Sequence, residues 1–279
     1  MYLNSTKTWL ASSIRNRKIV SFDINTGKCA DWFTDKDLLS VFAIKADKKE
    51  KTLWIATAAI PEMKGYDKSL EGKAEVLQLD AKTKKILKRF PLQGNHVFGD
   101  LVVAENGDVY VSDSGEALIF KIKNDAMTVW LDLKKEAINL QGLTFNNKES
   151  QLFIADYMKG ILRISMENPN DRNWLHLPEG ATVKGIDGLL WHKNSLLAIH
   201  NGVKPIRIIQ YSLNQKNEIT AYKVLDHNRP EFDEPALGTI AKGKLYFFSN
   251  SPWKAYNRNF DLDETKFENP TLYFYSLTQ

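Results

Sequence analysis

An all-β fold, a six-bladed β-propeller, is predicted by three observations. Short apolar stretches alternate with polar residues at a period of two, tight turn signals separate them, and the whole pattern recurs. Aligned on the second strand of each copy, Trp9, Trp54, Tyr110, Phe153, Leu197 and Tyr246 fall in register, roughly 43 to 56 residues apart. A four-stranded unit of this kind cannot cover its own faces, so six copies must stack face to face around a channel. The chain is read as one such domain, residues 1–279.

Taken in order, the first copy shows only a second strand, residues 8–13. Seven residues precede it, so blade one is expected to lack its innermost strand. In the second copy residues 41–44 pair with 52–57. The third is the clearest, with strands at 99–104, 108–114, 117–122 and 127–131. Its first turn, Asn106-Gly107, is a strong hairpin signal because both residues tolerate positive φ. The fourth copy pairs 141–145 with 152–157, and the fifth pairs 186–191 with 195–201. The sixth has strands at 236–240 and 244–250 and a third at 271–277. In a closed propeller an N-terminal segment usually completes the last blade, so the ends point to a fragment of a longer chain. Unpaired strand edges would be a liability.

Composition excludes several classes. The 279 residues are 43% hydrophobic and 26% charged, with 11% aromatics, which rules out a disordered chain. No stretch approaches the roughly 18 apolar residues of a membrane span. Thirty-eight Lys and Arg against 34 Asp and Glu give a mild excess spread along the chain, which reads as solvated surface. No nucleic-acid or membrane partner is therefore expected. The one cysteine, Cys29, can form neither an intrachain disulfide nor a Cys-based zinc cluster. The first ten residues are polar and show no signal peptide. A longer chain with a leader would be periplasmic or secreted.

Antiparallel connectivity brings the start of each first strand and the end of each second strand to one mouth of the channel. There the sequence places His96, Gly99, Asp100, Asp113 and Ser114 from the third copy, and Gln141, Asp156 and Tyr157 from the fourth. The fifth adds Asp187, His200 and Asn201, and the sixth adds Asp233, Glu234, Ser249 and Asn250. Carboxylate and amide oxygens suit a hard cation. They also suit water at any channel mouth, and aspartates at strand ends cap turns. Asp187 is the informative one, because an acid entering an otherwise apolar strand is costly unless paired or ligating. His96 and His200 are candidate proton carriers. Trp253 lies in a long insertion, residues 251–269, that together with residues 59–73 forms a candidate lid or rim.

The segments Gln141-Gly142-Leu143 with Leu152-Phe153-Ile154-Ala155-Asp156, and Ile186-Asp187-Gly188-Leu189, resemble those of the SMP-30/gluconolactonase/LRE-like family. That resemblance implies a six-bladed, paraoxonase-like, calcium-dependent propeller that hydrolyses lactones. It implies that Asp187 is a metal ligand and base. Gln141 stands where the family has an Asn ligand, Gly99 where it has another, and Asp100 keeps the acid that follows. The family's Glu ligand has no counterpart, since it would lie ahead of Met1.

Two functions follow as expectations. One is a lactone or ester hydrolase with a divalent cation, Ca²⁺, held by Asp187, Gln141, Asp100 and Glu234. Asp187, His96 and His200 are its catalytic candidates, and Asn201, Asn250, Trp253 and Tyr157 its substrate rim. The other is a non-catalytic propeller that binds a small ligand or protein at the same rim; in either case a monomer is expected.

Overall fold

The computed structural model describes residues 1–277 and bears out the prediction of an all-β, six-bladed propeller, with six small antiparallel sheets. Among the described residues no helix is long and apolar enough to cross a membrane. Two compact units are distinguished: Met1–Asp132 with Tyr256–Asp263, and Leu133–Ala255 with the residues from Glu264 onward.

The first unit holds three four-stranded sheets, each in sequential order. They are β1 (Tyr2–Leu3), β2 (Thr8–Ser13), β3 (Lys18–Phe22) and β4 (Cys29–Thr34); β5 (Ser40–Ala46), β6 (Thr52–Ala58), β7 (Lys73–Asp80) and β8 (Ile86–Gln93); and β9 (Phe98–Val103), β10 (Val109–Asp113), β11 (Leu118–Lys123) and β12 (Ala126–Asp132). Contrary to expectation, the first sheet does have an innermost strand, cut to two residues. Tyr2 pairs with Trp9 and Leu3 with Thr8. So short a strand holds because its side chains are core: the Tyr2 ring lies 4.7 Å from that of Trp9, and Leu3 is buried against Leu10 and Ile19.

The Asn106-Gly107 hairpin forms as predicted, but with a different turn. Ala104 and Asp108 close it, and of the two central residues only Gly107 takes a positive φ, at 89°. Asn106 instead uses its side-chain oxygen to accept from the Asp108 amide at 2.9 Å.

The second unit holds β13 (Leu140–Phe145), β14 (Gln151–Asp156), β15 (Gly160–Ser165) and β16 (Arg172–Trp174); β17 (Ile186–His192), β18 (Ser195–His200), β19 (Arg207–Leu213) and β20 (Ile219–His227); and a three-stranded sheet of β21 (Gly238–Ala241), β22 (Lys244–Phe248) and β23 (Leu272–Ser276). Its core joins Phe153 and Ile161 of one sheet to Leu189, Leu196, Ala198 and Tyr211 of the next. First strands approach very closely. A Cβ on Gly142 would lie 2.5 Å from the Leu189 amide nitrogen and 2.7 Å from the Asp187 carbonyl oxygen. Only glycine lets β13 and β17 meet this way, and that contact sets the position from which Asp187 enters β17.

The six aligned positions Trp9, Trp54, Tyr110, Phe153, Leu197 and Tyr246 all lie in second strands and are all buried. The propeller repeat is therefore a repeat of core contacts.

Candidate functional site

Three residues after each of those aligned positions stands a polar side chain: Thr57, Asp113, Asp156, His200 and Ser249 in the last five copies, all fully buried. Their partners show why. Asp156 accepts from the amides of Ile138 and Asn139 on one side and of Met158 and Lys159 on the other, at 2.6 to 2.9 Å. Asp113 does the same for Val97 and Gly115. Each thus ties the loop arriving at its blade to the turn leaving the second strand. A buried carboxylate is tolerated there because backbone donors surround it.

His200 occupies this structural position and not the rim. Its Nδ1 lies 3.2 Å from the Lys184 carbonyl and its Nε2 3.1 Å from the Tyr211 hydroxyl. Burial, with the charge of Arg207 adding to it and the Lys184 carbonyl opposing it, pushes the ring down to about 4. The imidazole is neutral at physiological pH, and both nitrogens are engaged.

In the first unit, His96 is half-buried, with Nδ1 2.7 Å from Asp113 Oδ2 and its ring edge-on to Phe120. The carboxylate orients the imidazole. Asp100 is fully buried and forms an ion pair with Lys45 Nζ at 3.2 Å. The sequence reading overlooked Lys45, whose one trace was a cation interrupting the apolar alternation of β5. An ammonium group already balances the Asp100 charge, so a dication beside it would face repulsion.

The remaining candidates lie in the second unit, and three of them form a chain of contacts. The Tyr157 hydroxyl donates to Asn201 Oδ1 at 2.8 Å, and Asn201 Nδ2 donates to Asp187 Oδ2 at 2.7 Å. Backbone bonds brace the chain, since the Gly185 amide donates to the Tyr157 carbonyl and the Asn201 amide to the Gly185 carbonyl. Burial raises the Tyr157 phenol above its ordinary value, and the charges of Asp187 and Glu234 raise it further. It therefore remains a donor, which fixes the Asn201 amide with its NH₂ toward Asp187. The sequence placed all three residues at one rim but did not foresee this order.

Glu234 has a left-handed backbone, with φ of 57°. Desolvation and then the neighbouring Asp233 charge raise its carboxyl, against opposing pulls from Lys204 and Lys254. Asn250 is committed elsewhere. Its carboxamide accepts from the Thr271 amide and donates to the Asn269 carbonyl, closing the base of the insertion. Trp253 sits half-buried in a 3-10 turn of that insertion, beside the Lys254–Asp233 ion pair. Gln141 donates through Nε2 to Asn139 Oδ1.

Among the described residues, no three His, Cys, Asp or Glu side chains gather into a metal-holding group. A cation would therefore need carboxamide oxygens beside its carboxylates. The second unit offers Asp187, Glu234 and Gln141, whereas Asn201 turns its NH₂ toward Asp187 and its oxygen to Tyr157; the upward shifts of Tyr157 and Glu234 come first from burial, with neighbouring carboxylate charges adding to it. The chemistry of this set fits a hard cation. Asp100, held by Lys45, does not join it.

No protein-family model matches the chain, and no curated protein sequence matches it. Solved structures do. The chain is similar to virginiamycin B lyase from Staphylococcus aureus at a TM-score of 0.65 and 14% identity, over 100% of this chain and 83% of that one. It is also similar to a PQQ-bound aldose sugar dehydrogenase from Streptomyces coelicolor at a TM-score of 0.62 and 12% identity, over 89% of this chain and 86% of that one. A third similar structure, from a nidogen–laminin complex, has a TM-score of 0.63 and 14% identity over 89% of this chain and 86% of that one. At such identities the likeness is one of fold: the chain shares the six-bladed propeller on which unrelated activities sit.

Proposed function

We propose that this chain hydrolyses a lactone or related ester at the Tyr157–Asn201–Asp187 cluster of its second unit, in the manner of the SMP-30/gluconolactonase/LRE-like propellers whose short segments it resembles. The observation that carries this reading is the Asn201–Asp187 hydrogen bond at 2.7 Å, itself held by Tyr157. A half-buried carboxylate kept in one orientation by a neutral donor is a suitable general base.

In the proposed reaction Asp187 accepts a proton from water, and the water oxygen bonds to the lactone carbonyl carbon. The ring C–O bond then breaks, and the proton returns from Asp187 to the departing alcohol oxygen. Asn201 holds the carboxylate, and Tyr157 holds Asn201. Asp187, Gln141 and Glu234 are the residues that would hold a divalent cation, Ca²⁺ by its preference for oxygen. When bound, it would polarise the carbonyl and stabilise the oxyanion.

A second reading, a propeller that binds a small ligand at this rim without turnover, is favoured by the Lys45–Asp100 pair, which takes one acid out of the cation set. Calcium titration by calorimetry, on the parent and on Asp187→Ala, separates the two. Saturable binding lost in the variant, followed by turnover of lactones, supports the hydrolase. Absence of both leaves the binding propeller.

A further inference from the structure

The outermost strand of a sheet leaves one backbone edge open, and an unprotected edge templates pairing with another strand. Five of the six sheets protect theirs. Along β4, β8, β12 and β20 the register slips against the neighbouring strand, and the ladder skips Trp32, Leu87, Trp130 and Leu225. These strands also carry charge, at Asp31, Lys88, Asp132 and Lys223 respectively. β16 is only three residues long and begins with Arg172. β23 has none of these devices. It is the outer strand of the three-stranded sheet, it pairs with β22 in unbroken register from Leu272 to Ser276, and residues 269–277 carry no charged side chain.

The register also fixes which groups face outward. The Ser249 amide donates to the Thr271 carbonyl at 2.8 Å, and the Leu277 amide to the Gly243 carbonyl at 3.0 Å. Thr271, Tyr273, Tyr275 and Leu277 therefore turn N–H and C=O toward β22, and Leu272, Phe274 and Ser276 turn theirs away from it. No described strand pairs with that side. Phe274, the middle residue, is 54% exposed, although its ring lies 5.7 Å from that of Tyr246 and 3.9 Å from Lys244 Nζ.

We propose that β23 is the docking strand for a second copy of this chain, in place of the monomer expected from the sequence. The two strands run antiparallel about a two-fold axis at Phe274. Phe274 then exchanges both backbone hydrogen bonds with its counterpart, and Leu272 does so with the counterpart of Ser276. Every outward N–H and C=O of the three residues is satisfied, whereas a shifted register leaves some unmet. The strand itself selects this occupant: it is self-complementary, it brings no like charges together, and the exposed Phe274 rings become cross-strand neighbours. One strand pair covers less than the roughly 800 Å² per partner of a standard interface, so a weak association is expected, with a Kd of about 10–100 µM.

Sedimentation equilibrium between about 1 and 300 µM tests this on the parent, Phe274→Lys and Ser276→Pro. The lysine sets like charges opposite each other at the axis, and the proline removes an outward N–H that β22 does not use. The average mass of the parent is expected to rise toward twice that of one chain, and the Kd of each variant to weaken at least tenfold. Thermal melts check that the variants fold. Hydrogen exchange on the parent gives a reading that needs no variant: raising the concentration should slow the amides of Leu272, Phe274 and Ser276, while those of Tyr273 and Tyr275 are slow throughout. A parent that stays monomeric overturns the proposal. Fast exchange at the three outward amides would then leave the edge to a strand of another protein, and slow exchange would show it covered by the chain's own residues. Association that leaves their exchange unchanged, or that both folded variants retain, overturns it equally.

Discussion

Asp187 enters strand β17 and Asn201 follows strand β18 at the same end of this antiparallel pair, and a hydrogen bond of 2.7 Å joins their side chains. The antiparallel register makes this meeting possible, because strand β17 begins where β18 ends. Asn201 carries the orientation of the acid, and Tyr157 carries the orientation of Asn201.

Removing the middle of this chain should affect turnover more than binding. In Asn201→Leu the Asp187 carboxylate loses the donor that Asn201 supplies, and kcat on a lactone is expected to fall tenfold or more with KM nearly unchanged. Tyr157→Phe leaves the carboxamide in place and should cost only a few-fold in kcat and about 1 kcal/mol in stability. Equal losses in kcat and kcat/KM, largest in Asn201→Leu, are the expected pattern in steady-state kinetics.

The Tyr157 phenol reports the local field directly. Its raised value has burial as first cause and the Asp187 and Glu234 charges as the next two. Asp187→Asn should therefore move it down toward the ordinary tyrosine range, and Glu234→Gln should do so by less. The measurement is a phenolate absorbance titration of each protein, differenced against the same protein carrying Tyr157→Phe. No movement in Asp187→Asn would show that the acid does not act on this phenol.

His200 predicts a loss of stability in mild acid. Its ring titrates near 4 in the folded chain and near 6.5 when unfolded, so between these values the unfolded state binds more protons. Stability thus falls as pH drops from 6.5 toward 4, by roughly 3 kcal/mol at the limit, and this contribution levels off below. Denaturant melts between pH 7 and 4 should show that slope, and His200→Gln should flatten it.

Lys45→Met should destabilise the first unit by about 1–3 kcal/mol, because Asp100 stays buried after its cation is gone. Adding Asp100→Asn should recover part of the loss, a coupling that a double-mutant cycle on urea melts would measure. Strict additivity would show that the pair does not act together.

Much of the fold is legible in the sequence because a propeller repeats its core. Period-two alternation and a recurring buried residue, from Trp9 to Tyr246, locate every second strand to within about two residues. The candidate site is less legible. A polar residue at the end of a strand looks the same in sequence whether it faces water or a ring of backbone amides. Asp113, Asp156 and His200 were grouped with Tyr157 and Asn201 at the rim, although the first three are buried ties between loops and turns. Their neighbours in the chain, one residue on, supply two of the three members of the cluster.

By itself, then, the sequence determined the all-β class, the six repeated sheets, the second strand of each, and the acid at Asp187, because these depend on local alternation and on turns closed within a few residues; that the first sheet has an innermost strand was decided by the tertiary structure. Only the tertiary structure decided that Lys45 balances Asp100, that His200 is neutral and enclosed, and that Tyr157 and Asn201 serve Asp187. Each of those outcomes depends on contacts between residues 11 to 55 positions apart. Charge and burial at such sites are set by what the fold brings alongside, which no local pattern records.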